Sequence, residues 1–200
     1  MTAKATGHVG STTATGGARR TGTPRLPGDP DPAALVARML RVDHAGEYGA
    51  RRIYEGQLAV LGRRAGGGAV RRMHEQELRH LEHFEKLMVE RHVRPTALQP
   101  LWHVAGFALG AATALLGERA AMACTVAVEE VIDAHYLGQA GRLGADEAKL
   151  KATIEDFRKD EQEHRDIGLA HGAEEAPGYE LLSAAIKSGS RLAIWLSERL

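Results

Sequence analysis

Apolar side chains recur at helical spacing along most of the chain. The first run follows Asp31-Pro32, a capping residue with proline in the first helical turn, and continues at intervals of three and four to Leu61. Similar runs predict further helices over about 70–92, 117–142, 146–170 and 178–199, and no strand-like alternation of any length occurs. The Gly66-Gly67-Gly68 run lacks the Lys-Ser/Thr of a phosphate loop, so we interpret it as a hinge between helices. The pattern predicts an all-α protein.

The segment from Leu98 to Leu116 differs from the others, because its only polar side chains are Gln99, His103 and Thr113. Its length lies at the lower limit for crossing a bilayer. A spanning helix, a buried bundle helix and a helix in the membrane interface are all compatible with this composition. As a helix, residues 100–116 would rise about 25 Å, enough to run the length of a bundle and connect two hairpins.

Residues 1–30 are rich in Thr, Gly and Ala and have almost no large apolar side chain. Such a segment cannot bury enough surface to offset its ordering entropy, so we expect a disordered tail before a domain over 31–200. Its basic residues all precede its first acid, Asp29, which also suits an organelle transit peptide. The lack of an amphipathic apolar face favours an untargeted bacterial tail instead.

Charge and cysteine content exclude several classes of function. The 26 Lys and Arg residues equal the 26 Asp and Glu residues, so there is no excess of positive charge to hold a nucleic acid. A single cysteine, Cys124, excludes an internal disulfide framework and thiolate-rich zinc or iron–sulfur sites. At 44% hydrophobic but only 4% aromatic residues, the core must consist of Leu, Ala, Val and Met.

An internal repeat carries the strongest chemical signal. Alignment of Glu47 with Glu129, without a gap, makes six of sixteen positions identical, including Tyr54 with Tyr136. When the offset between the two copies is increased by two residues, Glu77-x-x-His80 aligns with Glu161-x-x-His164. The chain therefore contains two copies of one helical hairpin, each with a single Glu on its first helix and a Glu-x-x-His on its second.

This spacing predicts a metal centre. Residues three apart lie on one helix face, so each Glu and His of the two motifs point the same way. Two paired hairpins would bring four carboxylates and two imidazoles into one core, where two divalent cations would balance the charge. Oxygen and nitrogen ligands without cysteine suit iron or manganese. One Glu from each of two helices and one Glu-x-x-His from each of the other two is the ligand plan of di-iron and di-manganese bundles.

Simpler interpretations exist for each residue taken alone. A single Glu-x-x-His is typical of a solvated helix face, and only the repeat places both motifs in register. Tyr54 and Tyr136 lie two turns beyond Glu47 and Glu129 on the same faces, where they suit core packing or a hydrogen-bonding or redox role beside metals. Asp160 is placed either to orient a ligand histidine or to face solvent.

Several motifs resemble the demethoxyubiquinone hydroxylase family. Residues 41–50, RVDHAGEYGA, look like its first metal-ligand motif. Similar likenesses are found over residues 120–130, AAMACTVAVEE, over 164–168, HRDIG, and at the C-terminal LSERL. The resemblance runs over roughly 35–200 and leaves out the tail.

The resemblance implies a ferritin-like four-helix bundle, built from two helical hairpins with a long apolar crossover helix and a C-terminal helix. It implies a di-iron monooxygenase with Fe²⁺/Fe³⁺ and O2, which hydroxylates a polyprenyl demethoxyubiquinol, with electrons from an NADH-linked reductase or from the quinol. Its metal ligands fall on the six residues that the repeat selects: Glu47, Glu77, His80, Glu129, Glu161 and His164. A catalytic His-Tyr pair of the family falls on His135 and Tyr136.

The same resemblance implies a place in the cell. A polyprenyl quinol resides in the bilayer, so we expect the helix over 98–116 to pack on the bundle with an apolar face at the membrane interface. We expect a peripheral protein on the cytoplasmic face of a bacterial inner membrane, or on the matrix side of the mitochondrial inner membrane. Expected partners are an accessory lipid-binding protein and other ubiquinone-biosynthesis enzymes, not nucleic acid. The alternative functions are iron handling, as in ferritin or rubrerythrin, and a metal-free scaffold.

Overall fold

The computed structural model describes residues 28, 31–62 and 66–200. These residues form six α-helices and no strand, which confirms the all-α prediction. The predicted tail, apart from Gly28, lies outside the described residues, so its disorder stays a prediction. The helices are α1 (Pro32–Leu61), α2 (Gly67–Glu90), α3 (Gln99–Leu115), α4 (Glu118–Ala140), α5 (Ala148–Ala170) and α6 (Tyr179–Ser197), with short 3-10 turns at Ala145–Glu147 and Ala173–Glu175.

Two antiparallel hairpins, α1–α2 and α4–α5, form the centre of the fold. The cross-hairpin contacts show that α4 runs antiparallel to α1, since Gln57 reaches Ala121 while Tyr136 reaches Glu47. Helices α2 and α4 are therefore parallel, and a connection along the bundle must join them. Helix α3 is that connection, as the sequence predicted.

Glycines allow α3 to lie directly on α1. A Cβ atom at Gly110 would overlap the carbonyl oxygen of Ile53, and one at Gly56 would overlap that of Phe107. The Gly106-x-x-x-Gly110 spacing thus brings two helix backbones into contact, which larger side chains would prevent. The Tyr48 hydroxyl also lies 2.7 Å from His103 Nδ1 on α3.

Helix α6 packs on α4 and ends beside the start of α3, where Trp102 Nε1 donates to Ser197 Oγ at 3.0 Å. Among the described residues, no helix combines the length and the apolar character needed to cross a bilayer.

Helix α2 starts three residues earlier than predicted, so only Gly66 of the glycine run stands outside a helix. A Cβ at Gly67 would lie 2.5 Å from the Gly62 carbonyl oxygen, and glycine is therefore needed where the chain turns into α2.

Candidate metal centre

The four hairpin helices bring the six predicted ligands together in the middle of the bundle. Helix α1 supplies Glu47, α4 supplies Glu129, and the two Glu-x-x-His motifs come from α2 and α5. All six residues are at most 2% exposed. Carboxylates are rarely buried to this extent without a cation or an ionic partner.

The ligand atoms fall into two groups that share two carboxylates. Each group has its potential ligand atoms within 4.8 Å of one another, and either group could hold a metal ion. Glu161 shows the sharing directly, because its Oε1 lies 3.2 Å from His80 Nδ1 and its Oε2 lies 3.2 Å from His164 Nδ1. The groups are Glu47, Glu77, His80 and Glu161, and Glu77, Glu129, Glu161 and His164.

Unpartnered buried atoms show that these side chains fit a pair of cations. Both oxygens of Glu77, both oxygens of Glu161 and Nδ1 of each histidine are buried without a hydrogen-bond partner. Such groups carry a large desolvation cost that bound cations would remove. The donor set of carboxylate oxygens and imidazole nitrogens suits iron or manganese.

The electrostatics of the protein alone point the same way. Burial raises the pKa of Glu77 and of Glu129 well above the usual range, and the nearby charge of Glu161 raises both further. Burial also acts to raise the pKa of Glu161, but His164 and His80 outweigh it and lower that pKa. Protons on the buried groups thus balance the charge that cations would otherwise balance.

Each tyrosine of the repeat supports the opposite hairpin. The Tyr54 hydroxyl donates to Glu129 Oε1 at 2.6 Å, and the Tyr136 hydroxyl donates to Glu47 Oε1. Burial, followed by the charges of nearby carboxylates, raises the pKa of both phenols well above the usual range. Both hydroxyls therefore remain donors that hold one oxygen of a carboxylate in place.

Each of the two histidines is likewise oriented by a side chain of the opposite hairpin. His80 Nε2 lies 2.9 Å from Asp160 Oδ2, and His164 Nε2 lies 3.0 Å from Gln76 Oε1. Each acceptor comes from the helix that carries the other Glu-x-x-His motif. These contacts leave Nδ1 of both rings free to face the centre. Asp160 therefore contacts one of the two predicted ligand histidines, in agreement with the first of its two interpretations.

His135 belongs to a second polar cluster beside the centre. The Gln139 side-chain amide donates to Asp43 Oδ1 at 2.6 Å and lies 2.8 Å from His135 Nε2. Asp43 is buried, and burial raises its pKa to about 6 in spite of the opposing effect of His135. Tyr136 points to Glu47 instead, so the two members of the predicted pair face different neighbours.

An apolar groove of about 520 Å³ runs beside the centre, between α1, α3, α4 and α6. Ala45, Gly46 and Gly49 line it, so one wall is the turn of α1 that carries Glu47. His135 lies one turn beyond Ile132, which lines the groove from α4. The groove thus passes the helix turn that carries Glu47, and His135 lies one turn beyond its α4 wall.

Three supporting residues were not predicted from the sequence. Gln76 aligns with Asp160 in the repeat and was detectable from that alignment. Asp43 lies one helical turn before Glu47 and Gln139 one turn after His135, but neither spacing shows that the two side chains meet across α1 and α4. The groove was also missed, because it depends on how four helices are spaced.

The fold and the site define the class of protein: a ferritin-like helical bundle with a buried carboxylate–histidine centre. Residues 34–197 match the family model described as ubiquinone biosynthesis protein COQ7. The chain belongs to that family.

Named relatives are similar over most of their length. A 3-demethoxyubiquinol 3-hydroxylase from Rhodospirillum rubrum is 65% identical over 90% of this chain and 86% of its own. A human mitochondrial NADPH-dependent 3-demethoxyubiquinone 3-hydroxylase is 56% identical over 84% of this chain and 79% of its own. A mitochondrial 5-demethoxyubiquinone hydroxylase from Saccharomyces cerevisiae is 42% identical over the same shares of the two chains. These matches confirm the family resemblance that the sequence motifs indicated.

Proposed function

We propose that this protein is a monooxygenase that hydroxylates the ring of a polyprenyl demethoxyubiquinol with O2, at a di-iron centre. The observation that carries the proposal is the burial of six potential ligands in two groups, in a chain whose relatives are named as hydroxylases of this substrate class. Iron handling without an organic substrate does not account for the apolar groove beside the ligands.

Glu47, Glu77, His80, Glu129, Glu161 and His164 would hold the two irons. When bound, the metals supply the redox chemistry that reduces O2 for insertion of one oxygen atom into the ring. The chain itself supplies four carboxylates, which stabilise the higher oxidation state, and a surrounding that keeps water out. Tyr54 and Tyr136 restrain one oxygen each of Glu129 and Glu47, and the other oxygen of each is left without a hydrogen-bond partner.

The apolar groove would hold the substrate. Its lining is almost entirely apolar, as an isoprenoid chain requires. On this assignment the ring lies at the end near Gly46 and Gly49, beside the α1 turn that carries Glu47. His135 is positioned near this end to exchange a proton with a quinol hydroxyl, while Tyr136 acts through Glu47.

The surface around the groove suits contact with a membrane. Leu101 and Val104 on α3, and Leu192 and Trp195 on α6, are each more than half exposed. These side chains would sit in the membrane interface and let a quinol enter from the bilayer. A peripheral position on the cytoplasmic face of a bacterial inner membrane agrees with this surface, and the human and yeast relatives are named as mitochondrial. An accessory lipid-binding protein would contact the same region.

Isotope labelling tests the reaction. The iron-loaded protein is reduced without oxygen, then mixed with ¹⁸O2 and a short-chain demethoxyubiquinol, and the product is weighed by mass spectrometry. Incorporation of one ¹⁸O atom is expected. A hydroxylated product without ¹⁸O, or iron oxidation without a hydroxylated product, would contradict the proposal. Parallel reactions with NADH plus a reductase, and with quinol alone, identify the electron donor.

A groove-filling variant tests the substrate site. A Cβ at Gly189 meets nothing within 4 Å, and this residue lines the groove from α6, away from the ligands. Gly189→Leu is expected to raise KM for a long-chain quinol about tenfold or more and to leave that of a short-chain analogue nearly unchanged. Gly138→Leu is the matched control, since Gly138 also has open space but lies outside the groove. Equal effects on both substrates would argue against the groove as the chain-binding site.

A further inference from the structure

The two ligand histidines make hydrogen bonds that match in position but differ in charge. His80 Nε2 contacts the carboxylate of Asp160 at 2.9 Å, whereas His164 Nε2 contacts the side-chain amide oxygen of Gln76 at 3.0 Å. Asp160 directly precedes Glu161, and Gln76 directly precedes Glu77. The duplicated hairpin therefore keeps the contact in both copies but changes the acceptor from a neutral amide to an anion.

This change alters how strongly the imidazole can bind a metal ion through Nδ1. When the outer nitrogen of the ring, Nε2, donates its N–H to a carboxylate, Nδ1 carries more electron density than when Nε2 donates to an amide oxygen. Both outer contacts leave Nδ1 toward the centre, so the two rings are oriented alike. The two outer contacts differ in the charge of the acceptor. The Asp160 side chain is 37% exposed, so water screens part of its charge and the effect is moderate.

We propose that Asp160 and Gln76 are positioning residues that make the two metal positions unequal. The position that contains His80 binds a divalent cation more tightly than the position that contains His164. This inference rests on the proposed two-metal centre and goes beyond it, since that centre alone would allow two equal positions. The outer partner of a ligand histidine typically changes metal affinity about 10- to 100-fold, and solvent screening of Asp160 places the difference near the lower limit.

Manganese titration tests the inference without enzymatic activity. Metal-free full-length protein is titrated with Mn²⁺ at one fixed pH, and free Mn²⁺ is followed by electron paramagnetic resonance. Two binding steps about tenfold apart are expected for the unsubstituted chain. Asp160→Asn, which keeps an acceptor oxygen but removes the charge, is expected to weaken the tighter step only. Gln76→Glu is expected to tighten the weaker step only, and Glu163→Gln, on the exposed face of α5, to change neither.

Anomalous diffraction from crystals with one equivalent of Mn²⁺ assigns the steps. Density beside His80 in the unsubstituted chain, and beside His164 in the Asp160→Asn/Gln76→Glu double variant, would support the inference. Two equal steps in the unsubstituted chain, or variants that shift both steps alike, would overturn it and leave the two-metal centre standing. Absence of any Mn²⁺ binding would overturn the centre itself. If Asp160→Asn fails to fold, Gln76→Glu with its single expected shift still decides the question.

Discussion

The two hairpins of the bundle match closely in the residues that surround the centre and differ in the polar cluster beside it. Tyr54 and Tyr136 occupy equivalent positions in the repeat, and each donates to the single Glu of the other hairpin. Gln57 and Gln139 are also equivalent, and their amides reach Thr125 and Asp43, which are themselves 82 positions apart. The shared features therefore form a pseudo-twofold framework around the place where two cations fit.

Two of the differences lie in the polar cluster beside the apolar groove. His135 corresponds to Ile53 in the other half, and Asp43 corresponds to Thr125. One half therefore has a buried acid and a histidine near the groove, where the other has a hydroxyl and an aliphatic side chain. The duplicated residues surround the two groups of potential ligands, and Asp43 and His135, which are not duplicated, form a polar cluster on one side of them.

The largest effect is expected at the carboxylates that the two ligand groups share. Glu161 belongs to both groups and Glu129 to one, so Glu161→Ala should weaken both metal positions and Glu129→Ala only one. Hydroxylation should fall to background in both variants. Metal content after dialysis, measured by plasma mass spectrometry, is expected to differ between them. Glu163→Ala on the exposed face of α5 is the control, and equal metal loss in the Glu161 and Glu129 variants would refute the shared arrangement.

The equivalent tyrosines provide a test of the asymmetry. Both Tyr54→Phe and Tyr136→Phe remove one hydrogen bond to a carboxylate, so both should cost similar stability, on the order of 1 kcal/mol. If the side with His135 handles protons, Tyr136→Phe and His135→Ala should lower kcat about 100-fold, while Tyr54→Phe changes it much less. Single-turnover kinetics and thermal unfolding separate the two effects. Equal losses of kcat in both tyrosine variants would show that the halves are functionally alike.

Asp43 should make the protein less stable as the pH rises. Burial raises its native pKa to about 6 from an unperturbed value of 3.8, so the native state keeps this proton to higher pH than the unfolded chain does. Stability is therefore lost between about pH 4 and pH 6, by roughly 3 kcal/mol at 1.36 kcal/mol per pKa unit. Asp43→Asn should remove this loss and be the more stable protein at pH 7.

Chemical unfolding of both proteins in the same chelator, at pH 4 and pH 7, gives the comparison. The difference between the two proteins isolates Asp43 from the other buried carboxylates, which titrate in both. Glu180→Gln, at an exposed position of α6, should leave the pH dependence unchanged. A larger stability for the unsubstituted protein at pH 7 would show that the charge on Asp43 is stabilised by His135 and Gln139 rather than penalised by burial.

Sequence patterns predicted those site residues whose positions follow from the periodicity of a single helix or from the internal repeat. Glu77 and His80 share a face because of helical periodicity, and the repeat brought in Glu47 and Glu129 without any knowledge of packing. The contact between Asp43 and Gln139 could not be obtained in this way, because it depends on the register of α1 against α4. The groove could not be predicted either, since its width follows from how closely α3 approaches α1.

That approach allows a direct comparison of the two halves. Gly56 and Gly138 are equivalent in the repeat, but only Gly56 faces α3, where an added Cβ would overlap the Phe107 carbonyl oxygen. Gly56→Ala should therefore destabilise the fold by about 1–3 kcal/mol through overpacking. Gly138→Ala meets no atom within 4 Å and should stabilise it by about 0.5–1 kcal/mol through helix propensity. Because both substitutions add one methyl group to a helical position, opposite signs in denaturant unfolding would assign the difference to α3 alone, and equal signs would mean that α3 does not rest on α1 this closely.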